Sequence, residues 1–233
     1  MLVCARMIKP RITVLLVEDH TVVREGIRKL LEMDDDLDVV GEAKNGRQAL
    51  ALVQTLRPAV VVMDVAMASL NGLEATRQIL AAVPGAKIII LSAHIDAAYL
   101  KVASESGAMG FLHKHVSLQD LSAAIRAVHQ RKAISGPRLT RRVSGRQLKL
   151  LDRPANPKPR AAGLTAREME VLQLIAEGKA SKEIAADLGI GIKSIEKHRE
   201  HLTKKLGIHG VAGLTHYAIQ AGIIESSVQL THV

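Results

Sequence analysis

The chain has 233 residues, 48% of them hydrophobic, enough for one large domain or two ordinary ones around a sizeable core. A single cysteine, Cys4, excludes a disulfide framework and a cysteine-rich zinc site, and fits a reducing cytosol. The net charge of +9 is localised: residues 1–130 carry 14 Lys/Arg against 14 Asp/Glu, residues 164–233 carry 8 against 8, and residues 131–163 carry 10 against Asp152 alone. No apolar run approaches the ~20 residues that span a bilayer, so a cytoplasmic protein without membrane contact is expected. Residues 1–10 lack the apolar core of a signal peptide and read as a disordered tail.

From residue 11 to 131, apolar runs alternate with helix-period segments. Ile12 to Val17 reads as a strand ending in Glu18-Asp19. The helix after it places Val23, Ile27, Leu30 and Leu31 at i, i+4, i+7 and i+8, one face. Leu37 to Gly41 is a short strand. Asn45 opens a helix with Ala49, Leu52, Val53 and Leu56 inward, ended by Arg57-Pro58. Ala59 to Met63 is wholly apolar, the mark of a strand buried on both faces, and Asp64 stands at its C-terminal tip. Gly72 to Val83 is predicted helical, closed by Pro84-Gly85. Lys87 to Leu91 is a strand ending in Ser92. Asp96 caps a helix to about Ser106, with Gly107 as its stop. Met109 to His113 is the fifth strand, ending in Lys114. Ser117 caps the last helix of the series, with Asp120 at N3 and Leu121, Ala124, Ile125 and Val128 inward. Five βα units in series imply an α/β fold, a parallel doubly wound sheet with strand order 2-1-3-4-5.

Residues 132–163 break this pattern. Ser135-Gly136-Pro137 is a turn, Arg138 to Leu151 has the composition of a basic helix, and Arg153 to Arg160 holds three prolines. This basic linker either adds affinity for a polyanion without reading sequence or is a solvated spacer. Residues 164–224 are helical throughout, a small all-α unit of four helices, and residues 225–233 form a tail. Thr165-Ala166-Arg167-Glu168 is a capping box. The helix behind it carries Val171, Leu172, Leu174 and Ile175. Ser181 caps a helix to Leu188, and Gly189-Ile190-Gly191 turns into a longer one from Ile192 to Leu206, with Ile192, Ile195, Leu202 and Leu206 inward. Two helices across a short glycine turn, the second long and basic, read as a helix-turn-helix. A fourth helix runs from about Val211 to Gln220, with Leu214, Tyr217, Ala218 and Ala221 exposed.

Parallel strands bring Glu18, Asp19, Asp64, Ser92 and Lys114 to one sheet edge. Three carboxylates there need a cation, and hard oxygen donors suit Mg²⁺. Lys114 offers a charge, and Ser92 a hydroxyl, to an anionic oxygen. Together they make a cage for a phosphoryl group on Asp64, whose carboxylate acts as nucleophile. Each residue also has a plain alternative: an acidic pair at a helix N-terminus, a turn aspartate, a solvated lysine, a loop hydroxyl. The joint pattern across four strands is far more specific than its parts.

Residues 11–131 resemble the receiver domain of two-component response regulators. The resemblance is carried by Val17-Glu18-Asp19-His20, Met63-Asp64-Val65-Ala66-Met67, Gly72, Leu91-Ser92-Ala93 and Gly107 through Lys114. It implies that Asp64 is the phosphoacceptor and that Glu18, Asp19, Asp64 and the backbone carbonyl of Ala66 hold Mg²⁺. It further implies that Ser92 and Lys114 contact the phosphoryl group, with Phe111 as the switch aromatic. Two positions depart from the family pattern: Ala68 and His115 stand where proline is usual, or at the second an acidic residue. Residues 164–224 resemble the LuxR-type helix-turn-helix of the NarL/FixJ subfamily, through Leu164 to Glu168, Val171-Leu172, Gly178, Glu183-Ile184-Ala185, Leu188-Gly189-Ile190 and Ser194 to Gly207. Gly191 replaces a frequent capping serine. The long helix carries five Lys/Arg against Glu196 and Glu200, so charge is focused on the element that would enter a major groove. The resemblance implies base reading by Glu196, Lys197 and Glu200. Phosphate contacts are expected from Lys193, Arg199, Lys204 and the helix N-termini at Thr165 and Lys182.

These readings together expect a transcription factor and not an enzyme. A sensor histidine kinase would phosphorylate Asp64, and double-stranded DNA would be bound by a homodimer through the fourth helix, with RNA polymerase a further partner. Rival readings are a Mg²⁺-dependent aspartyl phosphatase, which would need an acid where Ala66 stands, a receiver that takes no phosphoryl group and binds DNA constitutively, and a basic helix used for protein contact.

Overall fold

In the computed structural model of the protein, residues 10–93, 103–130, 134–135, 163–221 and 223–224 are described. The N-terminal part runs β1 (Ile12–Val17), α1 (Thr21–Leu31), β2 (Leu37–Ala43), α2 (Gly46–Leu56), β3 (Val60–Asp64), α3 (Gly72–Ala82), β4 (Ile88–Ser92), α4 (residues 103–106), β5 (Gly110–His113) and α5 (Leu118–His129). All pairs are parallel, and the spatial order is β2-β1-β3-β4-β5, the order expected from the serial βα pattern. A two-residue strand, β6 (Ile134–Ser135), lies beyond β5 and pairs with Gly110 and Phe111. The sheet therefore takes in Ser135, which the sequence reading assigned to a linker turn. Asp96 and most of the linker lie outside the described residues.

The period of two along each strand divides the core into two layers. Leu15, Val17, Val61, Met63, Ile88, Ile90 and Phe111 face α2 and α3. Val14, Leu16, Val60, Val62, Ile89, Leu91 and Leu112 face Leu31 of α1 and Leu121, Ile125 and Val128 of α5. The helices start where their caps say. Asn45, Asn71 and Ser117 each accept a hydrogen bond from the N3 amide, and Arg57 closes α2 in the left-handed region at φ +47°.

Helix α1 departs from its apolar face. Val23 and Leu30 are exposed, and the buried residues are Leu31 and Arg24. The Arg24 guanidinium donates to Glu42 Oε2 (3.0 Å) and to the Glu18 carbonyl (2.8 Å). A paired arginine thus occupies the inward position that periodicity alone gave to a valine. Leu56 of α2 is likewise exposed rather than inward.

The C-terminal part is helical: α6 (Ala166–Ala176), α7 (Ser181–Leu188), α8 (Ile192–Leu206) and α9 (Val211–Gln220). Its own core gathers Leu164, Val171, Leu172, Leu174, Ile175, Ile184, Leu188, Ile195, Leu202, Leu214, Ala218 and Ile223. Thr165 and Glu168 form the expected capping box. The start of α7 differs. Its N-cap is Ala180, whose amide donates to Glu183 Oε2, while the Ser181 hydroxyl receives Arg199 Nη1 at 3.2 Å.

Candidate functional site

Strand register assembles the carboxylate cluster. Val17 pairs with Met63, Asp64 with Leu91, and Ser92 with His113. The Lys114 amide donates to the Ser92 carbonyl at 2.8 Å. Glu18, Asp64, Ser92 and Lys114 therefore end four neighbouring strands at the C-terminal edge of the sheet, where open α/β folds place their ligand chemistry. Glu18, Asp64 and Ser92 are buried, with Asp64 only 1% exposed. Lys114 Nζ lies 2.8 Å from Asp64 Oδ2 and 3.0 Å from Glu18 Oε2. These are ion pairs without the alignment of hydrogen bonds, and buried Asp64 Oδ1 receives no donor. His20 Nδ1 lies 3.0 Å from Glu18 Oε1 and 2.8 Å from Asp19 Oδ1. One ligand atom each from Glu18, Asp19, His20 and Asp64 lie within 4.8 Å of one another.

The two carboxyls that share Lys114 shift in opposite directions. Burial and the Glu18 charge push Asp64 up to about 7, with Lys114 opposing. Burial acts to raise Glu18 too, but Lys114 and the His20 amide and ring outweigh it and hold it below its ordinary range. Asp64 carries the repulsion of Glu18 and Asp19, whereas Glu18 gains hydrogen bonds from His20 that Asp64 lacks. Burial opposes the charge on Lys114, but its two carboxylates raise it. Glu18 and Asp19 raise His20. Three hard carboxylates, one of them with a buried oxygen lacking a donor, fit an oxygen-preferring divalent cation such as Mg²⁺.

The loop between β3 and α3 carries Ala66, half-buried two residues after Asp64. It folds back so closely that a Cβ on Gly72 would sit 2.0 Å from the Asp64 carbonyl oxygen, which restricts that position to glycine. Phe111 is buried in the α2/α3 layer. Of the two departures from the family pattern, Ala68 is exposed, and the exposed His115 stacks its ring on His113 at 4.8 Å.

The second candidate surface is α8. Ile195 and Leu202 are buried, Leu206 is half-buried, and Ile192 is exposed, in contrast to the expected inward position, because it opens the helix beyond the edge of the core. Lys193, Glu196, Lys197, Glu200 and Lys204 are exposed along it. Lys204 pairs with Glu200 at 2.6 Å. Lys205 turns back onto Glu168 (2.7 Å) and the Gly163 carbonyl, so one of the five cations serves the domain itself. Arg199 is half-buried against Ser181, while Thr165 and Lys182 are exposed. In α9, Leu214 and Ala218 are buried and Tyr217 and Ala221 half-buried. The outward residues are Val211, Ala212, His216 and Gln220, which corrects the apolar surface expected there. Leu214 and Ala218 instead fill the small domain's core, four residues apart on one face.

Sequence reading missed the residues that join the two parts. Gln173 of α6 is buried. It donates to the Met67 carbonyl (2.9 Å) and accepts from the Asn71 amide (2.9 Å) and from Asn71 Nδ2 (3.2 Å). Asn71 Nδ2 also reaches the Ile223 carbonyl at 3.2 Å. Glu177 accepts from the Ser69 amide (3.1 Å). Glu170 receives Arg47 (2.7 Å), Gln78 (3.0 Å) and Arg167 (2.8 Å). The available signal was Gln173 itself, a polar residue between Leu172 and Leu174 in a helix whose apolar residues cover too wide an arc for one core.

A buried carboxylate cluster at the edge of a parallel five-unit sheet, joined to a helix-turn-helix with a basic second helix, fits a regulator with a receiver and a nucleic-acid-binding output. Residues 14–126 match the model of the response regulator receiver domain, and residues 162–218 that of the bacterial regulatory proteins of the luxR family. The chain belongs to the response regulators that join these two domains and is a transcriptional regulator of that class. It is 37% identical to the transcriptional regulatory protein LiaR of Bacillus subtilis over 84% of this chain and 92% of the relative. It is 34% identical to the response regulator UvrY of Escherichia coli over 91% of this chain and 95% of the relative. A solved structure of two RcsB dimers bound to two parallel DNAs superposes with a TM-score of 0.53 at 28% identity, covering 89% of this chain and 97% of that one. Among the described residues, no helix is long and apolar enough to cross a membrane.

Proposed function

We propose that Asp64 accepts a phosphoryl group from the phosphohistidine of a sensor kinase, and that the acyl phosphate controls DNA binding by the C-terminal domain. The observation that carries this reading is the convergence of Asp64, Glu18 and Lys114 at adjacent strand tips. An Asp64 carboxylate oxygen forms the new P–O bond as the donor's P–N bond breaks, and the leaving imidazole takes a proton. Lys114 already bridges Asp64 and Glu18, so its ammonium needs only a short shift to meet a phosphoryl oxygen. The Ser92 hydroxyl, at the adjacent strand end, donates to another, and Phe111, buried on β5, is the aromatic that follows the change. Glu18, Asp19, Asp64 and the Ala66 carbonyl would hold Mg²⁺, with His20 orienting the first two. Bound there, Mg²⁺ neutralises charge on the transferring oxygens. Lys114 and a bound Mg²⁺, with no general base, would make the chain an acceptor that promotes its own phosphorylation rather than an enzyme acting on others.

For the output, the exposed Lys193, Glu196, Lys197, Glu200 and Lys204 support major-groove docking of α8, with Arg199, Lys182 and the α6 terminus at Thr165 toward phosphates. RcsB dimers on DNA support a dimer here too, and a cytoplasmic regulator acting on RNA polymerase follows from that role. The test is incubation of the full chain with acetyl phosphate and Mg²⁺, then intact mass. One phosphoryl adduct is expected on the wild type and none on Asp64→Ala. An adduct that persists in the variant, or none on the wild type, overturns the assignment.

A further inference from the structure

The loop from Glu18 to His20 joins β1 to α1 and carries two of the three carboxylates of the cluster. Its own cap does not hold it, because His20, the N-cap of α1, makes no side-chain capping bond. The hold comes from within α1. Arg24 Nη1 donates to the Glu18 carbonyl at 2.8 Å, and Arg24 Nε donates to Glu42 Oε2, on β2, at 3.0 Å. One guanidinium thus ties the loop to a helix and to a neighbouring strand. The Arg24 side chain is 6% exposed, and a guanidinium taken out of water is costly unless its donors are met. Arg28 pairs with the other oxygen of Glu42 and with Glu32, so arginines and glutamates offset one another in this group.

The bonds of Glu18 close round one remaining atom. Its amide donates to the Ala43 carbonyl at 3.1 Å, and its carbonyl accepts Arg24. Its Oε1 accepts the His20 amide at 3.1 Å, with the His20 ring nitrogen 3.0 Å away. Oε2, buried and without an aligned donor, is left facing Lys114 at 3.0 Å, the ammonium it shares with Asp64. We infer, on the cation site proposed above, that Arg24 is a positioning residue for the divalent cation: by fixing the Glu18 peptide it holds Oε2 at the sheet edge, ready for the metal. Its bond to Glu18 goes to the backbone carbonyl and not to the carboxylate, and Glu42 offsets its charge, so Arg24 acts through geometry. A carboxylate fixed in place beforehand binds a cation more tightly than one that must be ordered on each arrival. Without Arg24, the buried Glu18 carbonyl loses its donor, and the loop must move to find another. The phosphoryl contacts proposed for Ser92 and Lys114 come from β4 and from the end of β5. Loss of Arg24 therefore changes how much Mg²⁺ the site needs and leaves the rate at full Mg²⁺ occupancy nearly unchanged.

The test compares the full-length wild type with Arg24→Met and Glu42→Gln, with circular dichroism as the check on folding. Arg24→Met keeps an unbranched side chain in α1 and removes both bonds. Glu42→Gln weakens the anchor on β2 and leaves the Arg24 bond to the Glu18 carbonyl. Mn²⁺ titrated against the protein, followed by the loss of its free electron paramagnetic resonance signal, reads cation binding without any phosphorylation. Mn²⁺ affinity is expected to fall about tenfold in Arg24→Met and to stay within about twofold of wild type in Glu42→Gln. The acetyl phosphate adduct, followed against Mg²⁺ concentration, should need about tenfold more Mg²⁺ for half its maximal rate in Arg24→Met, with that maximal rate within about twofold of wild type. Mn²⁺ affinity in Arg24→Met within about twofold of wild type overturns the positioning role. An equal loss in both variants overturns it too, since that would mark a general weakening of the fold. If Arg24→Met does not fold, Arg24→Lys takes its place, because a single ammonium nitrogen cannot span both partners as the guanidinium fork does. Affinity about threefold below wild type is then expected, and an unshifted affinity overturns the role. A wild type that takes up no Mn²⁺ would instead overturn the cation site itself.

Discussion

The receiver site and the DNA-facing helix use the same residue types under opposite conditions. Asp64 and Glu18 are 1% exposed and face one lysine between them. Glu200 and Lys204 are 60% and 69% exposed and face each other one helical turn apart. Where water is excluded, each charge changes its neighbours' protonation, and the cluster is costly unless a cation or phosphoryl group completes it. Where water is present, the pair contributes little to stability and its charges remain available to a partner. Burial suits the first region to the switching proposed for it, and exposure suits the second to reading.

Gly72→Ala should break the first region most severely. Its Cβ would meet the Asp64 carbonyl at 2.0 Å, and we expect a loss of about 3 kcal/mol or more in urea unfolding, together with loss of the adduct. Asp64→Asn should act in the other direction. Because the folded carboxyl is raised to about 7 from 3.8, the metal-free fold binds that proton more tightly than the unfolded chain does. Its stability therefore falls as pH rises between about 4 and 7. The substitution should stabilise the protein by up to about 4 kcal/mol at pH 8 in the presence of a chelator, and by nothing near pH 4. Adding Mg²⁺ should stabilise the wild type and leave the variant unmoved.

The join between the regions should titrate at lower pH. Burial acts to raise Glu170, but Gln78, Arg167 and Arg47 outweigh it and hold it below its ordinary range. Its contribution to docking is thus complete above that range and is lost as pH falls through it. Small-angle scattering should show an expanded chain near pH 4, with docking weakened by about 1 kcal/mol, and no change between pH 6 and 8. The smallest effect belongs to the exposed helix. Lys204→Ala should weaken all DNA sites about equally, by roughly three- to tenfold, and lower the salt slope by about one. Lys197→Ala should instead alter base preference. Uniform loss from both would remove Lys197 from the reading face.

Much of this was legible in one dimension because sheet edges collect strand ends. Once five apolar runs each end in a loop, parallel pairing forces Glu18, Asp64, Ser92 and Lys114 together, and Gly72, Asn45 and Thr165 announce their turns and caps through chemistry local to the chain. Periodicity failed where a polar group found a distant partner. Arg24 is buried because Glu42 and the Glu18 carbonyl receive it, and Ser181 leaves its cap to meet Arg199. Leu214 and Ala218 turned inward because the small domain has few other residues with which to close its core. The sequence by itself determined the two domains, the strand order and the carboxylate cluster, since these depend on period and position along the chain. Only the tertiary structure decided that Gln173 and Glu177 grip the loop beside Asp64, because that contact joins residues about a hundred positions apart and depends on where two finished surfaces meet.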